Sequence, residues 1–222
     1  MLFAADSLFA RLRAACKPEW DAYVKHSFVK QLGAGTLPES AFKRYLVQDY
    51  LFLIHFARAY ALAAYKSRSL EDIREAAAGL STIADTEMRL HVQFCEGWGI
   101  TEAEMQAEPE AQEVMAYTRY VLEAGMAGDV LDLYAALAPC IVGYGEIGSM
   151  LHGAGNLEGN PYKAWIDMYS SDEYQTGARR TVAHMDRLMA SRGGEGRFES
   201  LTGTFREATR LEAAFWDMGL KG

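Results

Sequence analysis

Apolar residues recur along this chain every three or four positions, and turn residues fall between the runs. The spacing predicts a first helix from about Asp6 to Cys16. Pro18 then restarts a helix carrying Trp20, Tyr23, Val24, Phe28 and Leu32. After the loop GAGTL, Thr36 and Glu39 resemble a capping box, with Pro38 inside the first turn. The helix that follows, Pro38 to about Ser67, is long and strongly apolar, and Ser69 opens another that runs to the glycines at 97 and 99. Thr101 and Glu104 give a second capping box. A further helix spans about Glu110 to Ala124, with Gly125 and Gly128 ending it. The stretch from Asp129 to Met150 starts with Asp129 as N-cap and Asp132 in the first turn, and an apolar run continues to a Gly-rich terminator, HGAGNLEGN. Asn160 and Pro161 read as N-cap and first position of a helix YKAWIDMY. Ser171 restarts one carrying Tyr174 to Met189, SRGGEG breaks it, and the last helix runs from about Arg197 to Met218. With no convincing alternating strand, repeat or linker, the pattern predicts an all-α bundle of about eight helices in a single domain, residues 1–222.

The bulk numbers narrow the partners. A chain of 222 residues, half of them hydrophobic, can bury one large core. Its formal charge of −8, without a basic stripe, opposes nucleic-acid binding, because phosphate neutralisation supplies most of that affinity. Any transcriptional role would be indirect. Cys16, Cys95 and Cys140 lie far apart with no CxxC spacing, which argues against a disulfide framework or a zinc site and points to a reducing compartment. The N-terminus lacks the form of a signal peptide, since Asp6 interrupts the apolar region and the arginines follow it. No apolar run approaches the ~18 residues of a membrane span. The expectation is a soluble cytoplasmic protein with no membrane partner.

Candidate chemistry lies where polar groups interrupt apolar faces. Leu137, Cys140 and Tyr144 share one helix face, so Cys140 reads either as a small core hydrophobe or as a nucleophile. Asp49 sits inside a stripe of Tyr45, Phe52 and Phe56. A carboxylate among rings is costly unless it is paired, for which Arg44 or Arg58 is at hand, or used. Glu212 precedes Phe215 by one turn, and its bland reading is an exposed acid between Arg210 and Ala213. Glu146, two residues beyond Tyr144, points elsewhere. If the three helices converged, the rings could stack a flat heteroaromatic ligand. The acids could bond its nitrogens, and the thiolate could add to an electron-poor ring carbon. None of the five histidines follows a glutamate by three residues, so the di-iron signature of helical bundles is missing, as are HExxH and a phosphate loop. Glu87 and His91, at i and i+4, read as a surface contact. His26 as a haem ligand is a weaker reading than a core or surface histidine.

Several stretches together resemble the TenA family, also called thiaminase II. They are the pattern W..YV.H.FV..L..G.L from Trp20 to Leu37, FKRYLVQDYLFL from Phe42, PCIVGYGEIG from Pro139, YKAWIDMYSSDEY from Tyr162 and RLEAAFWDM from Arg210. They span nearly the whole chain in the family's order. The resemblance implies a haem-oxygenase-like helical bundle that binds no haem and is typically a homotetramer. It implies hydrolysis of 4-amino-5-aminomethyl-2-methylpyrimidine to the 5-hydroxymethyl compound in thiamin salvage, with many members also cleaving thiamin. By the same resemblance Cys140 matches the nucleophile, and Glu212 matches the acid/base at the pyrimidine ring nitrogen. Asp49 matches the acid that holds the ring's amino group and supports the thiol. Phe52, Tyr117, Tyr144, Tyr169 and Phe215 resemble the ring-binding set. Phe52 stands where some members have Tyr, which removes one hydrogen bond and leaves the stacking. Some relatives lack the cysteine and act on other substrates. No metal or organic cofactor is required. Two alternatives stay open: a non-catalytic ligand-binding or regulatory protein, and a cofactor-biosynthesis oxidase of the same fold. The oxidase would want several His and Arg groups around an acidic substrate.

Overall fold

Helix is the only regular structure among the described residues, 3–154 and 157–222, of the computed structural model. Helices α1 (Leu8–Ala15), α2 (Lys17–Val24) and α3 (Ser27–Gly33) open the chain. The pattern predicted one helix where α2 and α3 stand. His26 separates them, its Nδ1 accepting from the Phe28 amide at 3.2 Å as the N-cap of α3. Next comes α4 (Glu39–Lys66), which carries no side-chain cap. The expected Thr36–Glu39 box does not form; the Thr36 hydroxyl reaches the Gln31 carbonyl instead, at 3.5 Å. The predicted helix from Ser69 to the glycines is three segments in one: α5 (Leu70–Ser81), a π-helical stretch Thr82–Glu87, and α6 (Met88–Glu96). The Thr101–Glu104 capping box is present in both arms and opens α7 (Glu102–Ala107). After α8 (Gln112–Ala127), Gly128 is the C-cap, whereas Gly125 lies inside the helix against Leu62 and Leu133.

Helix α9 (Val130–Gly153) starts as its acids predict: Asp129 Oδ1 accepts from the Leu131 amide at 2.8 Å, and Asp132 Oδ2 accepts from the Asp129 amide at 2.7 Å. Residues 155 and 156 of the expected Gly-rich terminator lie outside the described residues. Contrary to the sequence expectation, α9 is long and apolar enough to cross a membrane. Yet 89% of its most apolar window is buried inside the protein, the mark of a core helix. The next helix, α10 (Lys163–Ser170), begins just beyond the Asn160-Pro161 pair; Asn160 accepts from the Tyr162 amide and donates to the Leu32 and Gly33 carbonyls. Ser171 caps α11 (Asp172–Ser191), a 3₁₀ turn fills Gly194–Arg197, and α12 (Phe198–Leu220) closes the chain.

These helices form two compact units. The first holds Met1–Leu37 and Tyr134–Trp216, the second Pro38–Leu133 and Asp217–Gly222. The first is organised around rings. Trp20 stacks on Phe205 at 5.7 Å and meets Phe9 edge-on at 5.4 Å, and Phe28 stacks on Trp216 at 4.8 Å. Such pairs each add about 0.5–1.5 kcal/mol beyond the area they bury. In the second, α4 is the central helix, packed by α5, α6 and α8. Phe42 there meets Phe94 and Trp98 edge-on.

Candidate active site

In the first unit, α9 positions Cys140 and Tyr144, both buried and one helical turn apart. The helix continues through Pro139, which has no N–H for the carbonyl one turn back. Of the three thiols, Cys140 alone keeps measurable exposure, 7%, against 0% for Cys16 and Cys95. Burial pushes the Cys95 thiol up to about 11 and raises Cys16 as well, so these two are protonated core residues.

Tyr144 meets Tyr169 of α10 at 4.9 Å between centroids, and Trp165 and Trp216 complete the cluster. The close approach of α9 and α10 depends on Gly148. A Cβ there would stand 2.6 Å from the Tyr169 backbone carbon. Gln175 braces the same junction, its amide donating to the Gly145 and Tyr169 carbonyls at 2.9 and 2.7 Å. Glu146 points away, as expected: it receives Arg13 at 2.6 Å and the Trp20 indole, and lines a separate cleft with Ser149 and Arg179. Glu212 and Phe215 lie on α12, and both are buried. At 1% exposure Glu212 is not the surface acid of its bland reading.

In the second unit, α4 carries Asp49 and Phe52, and α8 carries Tyr117. Phe52 packs on Phe56 at 4.7 Å and on Tyr117 at 5.1 Å. Asp49, 3% exposed, is paired with neither arginine suggested by sequence; Arg44 bonds the Met218 carbonyl and Arg58 bonds His55. Its Oδ2 accepts from the Tyr45 hydroxyl at 2.9 Å and lies 2.6 Å from His91 Nε2. His91 is fully buried, not at the surface, and its Nδ1 lies 2.7 Å from the Glu87 carbonyl. Burial alone would lower the His91 pKa. The hydrogen bond and charge of Asp49, with the Glu87 carbonyl, outweigh it and raise the imidazole above its ordinary value. The Glu87–His91 spacing was visible in sequence, but the ion partner lies on another helix.

The structure thus brings Tyr144 to Tyr169 in one unit and Phe52 to Tyr117 in the other. The predicted acids divide between the units, Glu212 with Cys140 in the first and Asp49 in the second. Among the described residues, no group of three or more His, Cys, Asp or Glu side chains is arranged to hold a metal ion.

Known proteins resemble the chain along its length. An uncharacterised protein of Haemophilus influenzae is 38% identical over 96% of this chain and 99% of its own. An aminopyrimidine aminohydrolase of Halalkalibacterium halodurans is 35% identical, covering 96% of this chain and 95% of that one. The crystal structure of a TenA family transcription regulator from Silicibacter superimposes with a TM-score of 0.92 at 45% identity, covering 97% of each chain. The profile of one family matches residues 13–222, from α1 to the end of α12, and the chain belongs to that family, TENA/THI-4/PQQC.

Proposed function

We propose that this chain is an aminopyrimidine aminohydrolase of thiamin salvage, converting 4-amino-5-aminomethyl-2-methylpyrimidine to its 5-hydroxymethyl counterpart. The observation that carries the reading is the full-length likeness to the aminopyrimidine aminohydrolase of Halalkalibacterium halodurans. Three buried groups support it, the Cys140 thiol and the Asp49 and Glu212 carboxylates, since buried acids are retained at a cost that a role in chemistry explains.

In this reading Glu212 protonates the pyrimidine ring nitrogen, which makes the adjacent ring carbon electrophilic. Cys140 thiolate adds there and the ring loses aromaticity. The amine leaves the exocyclic methylene as ammonia. Water adds to the exposed methylene and loses a proton, and the thiolate departs as the ring rearomatises. Asp49 receives the hydrogens of the ring's amino group and supports the thiol. Phe52, Tyr117, Tyr144, Tyr169 and Phe215 wall the ring. Thiamin enters the same scheme with its thiazole as leaving group. The protein acts in the cytoplasm as a homotetramer, without metal or organic cofactor.

The test is ammonia release from the aminomethylpyrimidine by the purified protein, with thiamin assayed in parallel. Turnover of the aminomethyl compound is expected, and a protein inert towards both substrates would overturn the reading. A second reading, a regulator, draws on the description of the Silicibacter relative as a transcription regulator. A net charge of −8 makes direct DNA contact unfavourable, so this role would run through a partner. DNA binding by the isolated protein at physiological salt would favour it.

A further inference from the structure

We propose that His91 is a positioning and specificity-determining residue: it holds Asp49 as a carboxylate bonded through Oδ2, so that Oδ1 faces the substrate as an acceptor and selects a 4-amino over a 4-oxo pyrimidine. This rests on the proposed role of Asp49 at the ring's amino group.

The geometry lies wholly within the second unit. The Glu87 carbonyl 2.7 Å from Nδ1 can only accept, so Nδ1 carries a hydrogen. A single proton then remains between Nε2 and Asp49 Oδ2, 2.6 Å apart. A contact this short fits a charge-assisted bond. The Tyr45 hydroxyl donates to the same Oδ2. With that proton on Nε2, Oδ2 receives two donors and has a cation beside it. A lone buried charge is costly, and the imidazolium offsets that cost.

Both protein hydrogen bonds to Asp49 fall on Oδ2, and Oδ1 makes none among the described residues. The groups facing His91 are few. Asp49 and Tyr45 come from α4 and Glu87 from the π segment, whose backbone carbonyl and carboxylate both favour the cation. On α7, Glu102 accepts from Tyr50 and Glu104 from Thr101, so neither is directed at the imidazole. Cys95, one turn on along α6, is a neutral thiol.

An ionised carboxylate has no hydrogen to give. Its Oδ1 bonds an exocyclic amino group and repels a ring carbonyl. A neutral acid in the same place could donate to the carbonyl and would lose that discrimination. The pair therefore converts the position of one buried proton into a choice of substrate.

The test measures binding of 5-hydroxymethyl-2-methylpyrimidine in its 4-amino and 4-oxo forms by calorimetry, for the wild type and for His91→Gln. Glutamine can still donate an amide hydrogen to Asp49 but carries no charge. The amino form should bind the wild type at least tenfold more tightly, and His91→Gln should shrink that ratio roughly tenfold. Cys95→Ala, a buried change on the same helix, should lower Tm and leave the ratio alone. An unchanged ratio in folded His91→Gln would overturn the proposal. Binding of neither pyrimidine by the wild type would instead refute the proposed function. Should His91→Gln fail to fold, nitrogen NMR of the wild type decides. Both His91 nitrogens should be protonated at pH 7, and a neutral imidazole there would overturn the proposal.

Discussion

Exposure separates three thiols of one chain. Cys16 and Cys95 are sealed and held protonated by burial, while Cys140 keeps a few per cent of its surface. Cys140→Ser should lower turnover of the aminopyrimidine by roughly 10³-fold or more, because an alcohol ionises far less readily than a thiol of ordinary pKa near 8.5. Wild-type rates from the purified variant would remove Cys140 from the chemistry. Glu212→Gln keeps the side chain's size and its hydrogen-bonding capacity but cannot deliver a proton. It should lose about 10²–10⁴-fold in kcat while KM changes little, as measured under steady state. At this scale the sequence was informative about faces and silent about what lies across them. Helical spacing put Asp49 among Tyr45, Phe52 and Phe56, and all four are buried. Its ion partner could not be found that way, since His91 is on a different helix and no periodicity links the two.

Among the elements, the departures from the predicted pattern have local causes. His26 splits the second predicted helix by capping the amide of Phe28, a competition that hydrophobic spacing cannot register. The π stretch Thr82–Glu87 sits inside what reads as one continuous helix. Each residue inserted into a helix turns the following face by about 100°, so α6 aims its side chains differently from an unbroken extension of α5. His91, read from the sequence as a surface contact of Glu87, is in the core. The caps made by Thr101, Asp129 and Ser171 were legible because each depends on residues three or fewer apart. The α9–α10 contact is a close junction that carries predicted site residues. Gly148→Ala would press its Cβ on the backbone of Tyr169 and Ser170, which cannot rotate aside, and should cost about 1–3 kcal/mol with displacement of Tyr169. Gly177→Ala on α11 meets nothing within 4 Å and should stabilise by about 0.4–1 kcal/mol. Thermal melts of the two variants should shift in opposite directions; equal shifts would show that the close approach at Gly148 is relaxed in solution.

For the molecule as a whole, the buried and half-buried titrations concentrate in the second unit, and their signs set the pH range of stability. Arg119 holds Glu110 below the usual carboxylate range, and Lys221 does the same for Glu113. The stability each adds is present above the ordinary glutamate value near 4.5 and is lost as pH falls through the depressed folded value. Burial lowers His55, so the unfolded chain takes up that proton first, and stability also declines as pH drops below about 6.5. His91 works in the other direction. Its folded pKa is raised, so its contribution is complete below about 6.5 and disappears as pH rises through the higher folded value. In the first unit, burial raises the Cys16 thiol, and Arg11 pairs with Glu195 at the surface. Protection from hydrogen exchange should therefore fall in α4 to α8 on both sides of an optimum between the glutamate and raised-histidine ranges, with α1, α10 and α11 changing less. In His91→Gln the alkaline loss should vanish and the acid loss should persist. A wild-type profile flat from pH 6 to 9 would mean that the Asp49–His91 proton does not contribute to folding. Equal alkaline loss in the variant would assign that limb to another group.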